Sequence, residues 1–345
     1  MSPHSKKTVT LKDIAMDTGF SITAVSHALR NMSDISEATK AVIRERAQAL
    51  GYIGNASASS LRSGFSNTVA VLLGDLSNPH FSFMAKEIET QLRQNGYSAF
   101  FMNTNENEEV ERNAITLALS KQVDGIIICP AQNNGSSENL RFILSTHTPC
   151  VLIGRHFSDI SVSCVACDDF KGGLLAGRHV LQNGHRHILY VDTPFQNSSA
   201  VERREGFLQA LQEFPEPVRF SVVRFDENGE YLNALISPQR NPYTALIAFN
   251  DPIAWDALCR MPAHGLCTPE DISIVGFDNL HSCLPLPFPL TSVSSSKVRM
   301  PRKAVELLME QIRTPNIPVT RLILDVELID RKTVRLIKDI SDDSR

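Results

Sequence analysis

Two hydrophobic periodicities divide the chain. Between Val9 and Leu50, apolar residues recur at three- and four-residue spacing, the mark of amphipathic helices. From Thr68 onward, short apolar runs rich in Val and Ile alternate with longer helical stretches. In the first segment Leu11, Ile14 and Ala15 form one stripe behind Thr10, a residue suited to capping a helix start. Gly19 ends that helix, because glycine enters the left-handed region cheaply. Ser21 caps a second helix with Val25, Ala28 and Leu29 inward, which leaves Ile22, Thr23, Ser26 and His27 on the other side. Ser36 caps a third, with Val42, Ile43, Ala47 and Leu50 expected inward and Tyr52 covering the small core.

The second segment predicts repeated strand–helix units. Strands are expected at 68–73, 97–104, 123–130 and 150–155, separated by helices at 82–96, 108–122 and 137–146. The run 162–168 is expected to start a second set. Its strands are 187–192, 218–225, 244–250 and 272–278, and its helices 170–184, 201–214 and 251–261. A further helix spans 300–312. Two successive sets of this kind imply two doubly wound parallel sheets with a cleft between them.

Composition changes little in this picture; charge changes more. The apolar fraction of 42% suits an ordinary globular core. The net charge of −4 argues against a nucleic-acid binder, but the charge is unevenly placed. Residues 1–66 carry Lys6, Lys7, Lys12, Arg30, Lys40, Arg44, Arg46 and Arg62 against Asp13, Asp17, Asp34, Glu37 and Glu45. A basic head on an acidic body fits a head that meets a polyanion. The first ten residues contain no apolar run, and no stretch reaches a membrane span, so a cytoplasmic protein, nucleoid-associated when bound to DNA, is expected. Seven cysteines without framework spacing read as reduced thiols, and Cys164 and Cys167, a CxxC inside an apolar run, read as buried strand residues rather than zinc ligands.

A helix, a glycine turn and a second helix with a small polar outer face form the helix-turn-helix pattern, whose second helix enters a DNA major groove. The pattern alone is shared with any short helical hairpin. Residues 9–31, then Ile35-Ser36-Glu37-Ala38-Thr39 and Leu50-Gly51-Tyr52, resemble the headpiece of the lactose-repressor/galactose-repressor family. The resemblance continues through Asp75-Leu76-Ser77-Asn78-Pro79, Val123-Asp124-Gly125-Ile126-Ile127 and Gly184-His185-Arg186-His187-Ile188. It extends through Arg203-Arg204-Glu205-Gly206-Phe207, Ala248-Phe249-Asn250-Asp251 and Ile274 to Asn279. It closes with Pro289-Leu290-Thr291-Ser292-Val293 and Leu328 to Thr333, in order over roughly residues 8–335.

The resemblance implies an all-α helix-turn-helix headpiece over 1–53, a hinge over 54–66 and a periplasmic-binding-protein-like α/β core over 67–335. Lobe crossings fall near 166, 295 and 322. Lobe 1 then comprises about 67–166 and 296–322, and lobe 2 about 167–295 and 323–335. The tail 336–345 is acidic and lacks leucine heptads, so a homodimer is expected. It further implies DNA contacts from Thr10, Ser21, Ile22, Thr23, Ser26, His27 and Arg30. Asn55, Leu61 and Arg62 would contribute from the hinge, with Leu61 as a minor-groove wedge. Gly54 stands where the family usually has Pro, which loosens that hinge. His27 could donate to guanine O6 or N7, and Arg30 is expected on phosphate.

An effector site in the cleft is implied at Asp75, Phe81, Asp168, Arg203, Asn250, Asp278, Ser295 and Lys297. The hydroxyl-matching polar groups favour a small sugar or sugar derivative, and a single stacking aromatic is thin provision for a nucleobase. Lys297 stands where several sugar-responsive members have an aromatic, which points to an anionic group such as a phosphate or uronate.

No catalytic residue, cofactor or metal is expected. GxGxxG does not follow the first strand, and GxxxxGK[ST] and GxSxG are absent. Lys171-Gly172-Gly173 with Gly177 reads as small residues letting a helix approach a sheet, and His185 and His187 as structural or solvent-facing. Three functions compete. A ligand-responsive DNA-binding repressor, or an activator of the same build, explains head, hinge and cleft together. A solute-binding protein explains only the cleft and requires a signal peptide. An α/β enzyme explains the lobes but has no nucleophile or cofactor loop.

Overall fold

The structure is a computed structural model that describes residues 9–54, 64–131, 137–236, 242–285 and 288–337. The described chain divides into a small unit ending at Ser66 and a large unit beginning at Asn67.

The small unit contains α1 (Leu11–Thr18), α2 (Ile22–Leu29) and α3 (Glu37–Ala49). Thr10 and Asp13 cap α1 reciprocally, satisfying two of the orphan amides at its start. Gly19 ends it at φ 75°, and Ser21 and Ser36 cap the next two helices. Ile14, Val25, Ala28 and Ile43 are fully buried at the centre, with Tyr52 packed against them. Val42 is 47% exposed, contrary to the expectation that it points inward. Lys40, Ile43 and Ala47 fill the buried face of α3, and Val42 lies one step round the helix from Ile43. Arg46 pairs with Asp17 through two hydrogen bonds of 2.6 and 2.8 Å, tying α3 to the end of α1.

The large unit holds two six-stranded sheets. The first runs β11-β5-β4-β3-β1-β2 and is parallel throughout. Its strands are β1 (Thr68–Leu73), β2 (Ser98–Asn103), β3 (Gly125–Ile128), β4 (Cys150–Ile153), β5 (Ser163–Cys167) and β11 (Arg321–Leu324). The second runs β12-β10-β9-β8-β6-β7, with only the β12 edge antiparallel. It is built from β6 (His187–Asp192), β7 (Arg219–Arg224), β8 (Ala245–Ala248), β9 (Ser273–Phe277), β10 (Thr291–Ser294) and β12 (Glu327–Ile329). The central strands carry apolar side chains on both faces because helices cover both. Around the first sheet lie α4 (Pro79–Gln94), α5 (Glu108–Ser120), α6 (Glu138–Ser145) and α11 (Arg299–Arg313). Around the second lie α7 (Asp169–Gln182), α8 (Ser198–Glu213), the short α9 (Asn233–Ile236) and α10 (Asp251–Arg260).

The run expected to open the second set instead completes the first: β5 pairs with β4 and β11. An all-apolar strand looks the same in either sheet, so periodicity could not place it. The chain leaves the first sheet after Cys167 and returns between Ser294 and Arg299. The last passage falls at Asp325–Val326 rather than near 322, because Leu322 and Ile323 still pair with β5.

The glycines of α7 serve mainly a helix partner. A Cβ on Gly173 would lie 1.9 Å from the Arg203 carbonyl oxygen, and one on Gly206 1.9 Å from that of Phe170. Helices α7 and α8 therefore pack backbone to backbone, which brings Asp169 and Arg203 together. Gly172 alone faces the sheet, against Phe277. His185 is fully buried and joins Thr244 and the Arg335 carbonyl, a structural role. Cys164 and Cys167 are buried in β5. Among the described residues no helix is long and apolar enough to cross a membrane, and no group of acidic, His or Cys side chains is placed to hold a metal.

Candidate functional site

In the small unit α2 presents Ile22 and Thr23 at its start, both exposed, with Ser26 and His27 half-buried one turn on. Ser21 is engaged as the cap of α2, its Oγ accepting from Ala24 N at 3.1 Å, and Thr10 as that of α1. His27 Nδ1 lies 2.5 Å from Asp34 Oδ2. The carboxylate requires the ring proton on Nδ1, which leaves Nε2 as the outward atom. Arg30 folds back on its own helix, donating to Ser26 Oγ (2.8 Å) and Ser26 O (3.1 Å). Asn55, Leu61 and Arg62 lie outside the described residues.

In the large unit a cavity of about 660 Å³ opens where strand ends of both sheets meet. Asp75, Phe81, Arg203, Asn250, Asp278 and Ser295 all line it. Asp75 follows β1 and accepts from the amide and hydroxyl of Ser77 at 2.9 and 2.7 Å. Asn250 caps α10 by accepting from Ile253 N at 3.1 Å. Arg203 donates to Asp169 (2.7 Å) and to the Phe249 carbonyl (2.8 Å). Its guanidinium carbon sits 3.5 Å from the centroid of the Phe277 ring and 4.5 Å from that of Phe249. The neighbouring carboxylates Asp169 and Asp278 raise the Arg203 pKa against the effect of burial. Its ion-pair partner is thus Asp169, not Asp278.

Asp278 stands at φ 105° after β9, facing His80 of α4 at 3.5 Å, and His80 reaches Ser295 Oγ at 3.4 Å. Burial lowers the His80 pKa, outweighing the pull of Asp278, so the ring is neutral. Also in the lining, Arg155 forks onto both oxygens of Glu106 (2.6 and 2.8 Å), each side chain nearly buried.

Two expected residues stand elsewhere. Asp168 caps α7 through Lys171 N at 2.8 Å, and the neighbouring Asp169 holds Arg203 instead. Lys297 turns away from the cavity and donates to the carbonyl oxygens of Asp278 (2.8 Å) and Asn279 (2.7 Å). An ammonium satisfied by two buried carbonyls is no anion site, so the inference of a phosphate or uronate from Lys297 fails. The lining also holds four phenylalanines, Phe81, Phe195, Phe225 and Phe249, rather than a single aromatic. His80, Glu106, Arg155, Asn197 and Phe225 were not anticipated. Each follows or adjoins a strand's C-terminal end, and the strand-end rule applied to every strand would have found most of them.

A three-helix unit with a helix-turn-helix, joined to a two-lobed α/β body with a ligand-sized cleft, defines a ligand-responsive DNA-binding regulator. Residues 10–55 match the family model for bacterial regulatory proteins of the lacI family. Residues 66–332 match the model for periplasmic binding proteins and the sugar binding domain of the LacI family. The chain belongs to the LacI family of transcriptional regulators. It is 31% identical over 333 residues to the HTH-type transcriptional repressor PurR of Actinobacillus pleuropneumoniae serotype 3 (strain JL03), covering 94% of this chain and 98% of that one. A LacI family regulator from Enterococcus faecium, solved with bound ribose, is 26% identical with a TM-score of 0.67, over 79% of this chain and 100% of that one. The lac repressor dimer bound to operator shares the fold at 23% identity and a TM-score of 0.80, over 95% of this chain and 100% of that one.

Proposed function

We propose that the chain is a repressor that binds a pseudo-palindromic operator as a homodimer and takes a small sugar or sugar derivative in the inter-lobe cavity. The cavity carries this reading: Asp75, Arg203, Asn250 and Asp278 converge on one space of about 660 Å³, within the usual range for small-molecule sites. These groups supply acceptors and donors for hydroxyls, and the phenylalanines offer faces for a sugar ring. The ribose bound to the Enterococcus faecium relative supports the ligand class, and the PurR similarity supports repression. Ile22, Thr23 and His27 read base edges, while Arg30 serves phosphate. The hinge residues Asn55, Leu61 and Arg62 complete the DNA contacts, with Leu61 at a central flexible step. Effector occupancy changes operator affinity by as much as the two lobe arrangements differ in effector affinity.

The test is a DNA-shift titration on selected operator fragments at several salt concentrations, with and without sugars. Steep loss of binding with salt and a sugar-dependent change in affinity are expected. Salt-independent or absent DNA binding would reduce the protein to a solute-binding module.

A further inference from the structure

Among the described residues, the cations at or beside the cavity are each engaged by other protein groups. Arg155 is held by both oxygens of Glu106 and by the Pro130 carbonyl at 2.7 Å. Arg203 is held by Asp169 and the Phe249 carbonyl, and Lys297 by the Asp278 and Asn279 carbonyls. Arg260 pairs with Asp256 at 2.8 Å, and His80 is neutral through burial.

The carboxylates are engaged by hydroxyls, amides and an imidazole rather than by cations. Among the described residues the Asp75 carboxylate accepts from Ser77 alone. Asp226 accepts from the amides of Glu230 and Tyr231, which hold its pKa below the usual carboxylate range. Asp278 has a long contact to a neutral imidazole, and Glu227 lies exposed at the rim. No described Lys or Arg makes an ion pair within 4.0 Å of any of these four. A second observation comes from Asn197, which lines the same cavity and is 3% exposed. Its Oδ1 caps α8, accepting from Ala200 N at 3.0 Å, while its buried Nδ2 has no acceptor among the described residues. A buried amide donor of this kind calls for an oxygen on whatever fills the cavity.

We propose that the cavity selects a hydroxylated effector bearing a protonated amine, of the amino-sugar class, and rejects acid sugars and sugar phosphates. This rests on the reading of the cavity as a sugar site. Ring and hydroxyl oxygens satisfy Asn197, and the ammonium meets carboxylates that form no ion pair with a described Lys or Arg. An anionic ligand would be stripped of water beside these carboxylates, while the described cations nearby already face Glu106, Asp169, Asp256 or backbone carbonyls.

The experiment uses the full chain and matched series: glucose, glucosamine and glucuronate, with the corresponding galactose and mannose sets, read by calorimetry and thermal shift. Within the series that binds, the amino sugar is expected to bind at least roughly tenfold more tightly than the neutral sugar, and the acid not to bind. That advantage should shrink with added salt and in Asp75→Asn. Acid sugars binding as well as neutral ones, or equal affinity for neutral and amino members, overturns the proposal. An amino-to-neutral ratio unchanged in Asp75→Asn and Asp226→Asn also overturns it. If no sugar of any charge binds while a nucleobase does, the sugar reading itself falls, an outcome distinct from failure of charge selection.

Discussion

Lys297 holds the backbone of Asp278 in place, its Nζ donating to that carbonyl at 2.8 Å and to the next, of Asn279, at 2.7 Å. Both residues have positive φ, 105° and 51°; Asn enters the left-handed region readily, whereas 105° at Asp278 lies outside it and needs support from its surroundings. The clamp runs from the segment between β10 and α11, where the chain passes from one sheet to the other, to the aspartate facing the cavity. Lys297→Met would leave two carbonyls without a donor, at about 1–3 kcal/mol each, partly offset by no longer burying an ammonium. A loss of about 2 kcal/mol in urea unfolding is expected, together with weakened effector binding, and Lys297→Arg should recover part of both. If Lys297→Met unfolds at the parent's urea midpoint, the clamp carries no weight.

Asp251 gives the core a pH dependence. It accepts from Leu280 N (2.7 Å) and Ser292 Oγ (2.6 Å), yet burial and then the charge of Asp278 push its pKa up to about 7. Its ordinary value, close to that in the unfolded chain, is about 3.9. The folded state therefore holds this proton more tightly. The resulting stabilisation is complete below about pH 4 and is lost as pH rises towards 7. His185, whose pKa burial lowers to about 4, works in the opposite sense below about pH 6.5, so the informative quantity is the difference between variant and parent. Between pH 5 and 7.5 the parent should lose about 2–4 kcal/mol relative to Asp251→Asn. Parallel stability curves for the two proteins would show that Asp251 does not titrate in this window.

Much of this architecture was legible because its signals are local. Thr10, Ser21, Ser36 and Gly19 mark helix ends by their own chemistry, and the structure uses each of them so. Alternating strand and helix runs gave two doubly wound sheets for the same reason. Sheet membership was not legible for β5, since a strand buried on both faces carries no mark of its neighbours. Asp168 and Lys297 show the limit at the cavity. Position along the chain places a residue near a strand end, but its direction depends on partners supplied from elsewhere: an amide of α7 in one case, two carbonyls after β9 in the other. Asp169 could not be preferred to Asp168 without the close approach of α7 and α8 at Gly173 and Gly206.

The Asp169–Arg203 pair makes the two obvious effector-site substitutions unequal. Arg203 is buried, and its removal leaves Asp169, 2% exposed, without a cation. Arg203→Ala should cost about 3–5 kcal/mol of core stability and abolish effector binding. Asp278→Asn breaks no ion pair with a described Lys or Arg, and the lost attraction to Arg203 is offset by relief of the repulsion with Asp251, so it should abolish or weaken effector binding with a stability change below about 1 kcal/mol. Both are measured by thermal unfolding with and without sugar. Equal stability losses, or an unimpaired ligand shift in both variants, would move the effector site away from this cavity.

The last prediction concerns base reading by the small unit. With Asp34 Oδ2 2.5 Å from Nδ1 of His27, the ring proton belongs on Nδ1, and a neutral ring then presents Nε2 as an acceptor. An acceptor pairs with the exocyclic amine of adenine or cytosine in the major groove, whereas a guanine O6 or N7 contact needs a ring protonated on both nitrogens. A single ring nitrogen cannot form a bidentate fork, so discrimination should lie near the low end of ~1–3 kcal/mol. In a selection from randomised operators, His27→Ala should flatten the preference at one base pair per half-site. Asp34→Ala should flatten the same pair, since the imidazole then loses its orientation and its fixed tautomer. Arg30→Ala provides the contrast: a residue serving phosphate should weaken binding to every sequence alike and reduce the salt dependence. Selectivity unchanged in His27→Ala would remove His27 from the base-reading set. Selectivity lost in His27→Ala but kept in Asp34→Ala would show that the ring is oriented by the DNA and not by its carboxylate partner.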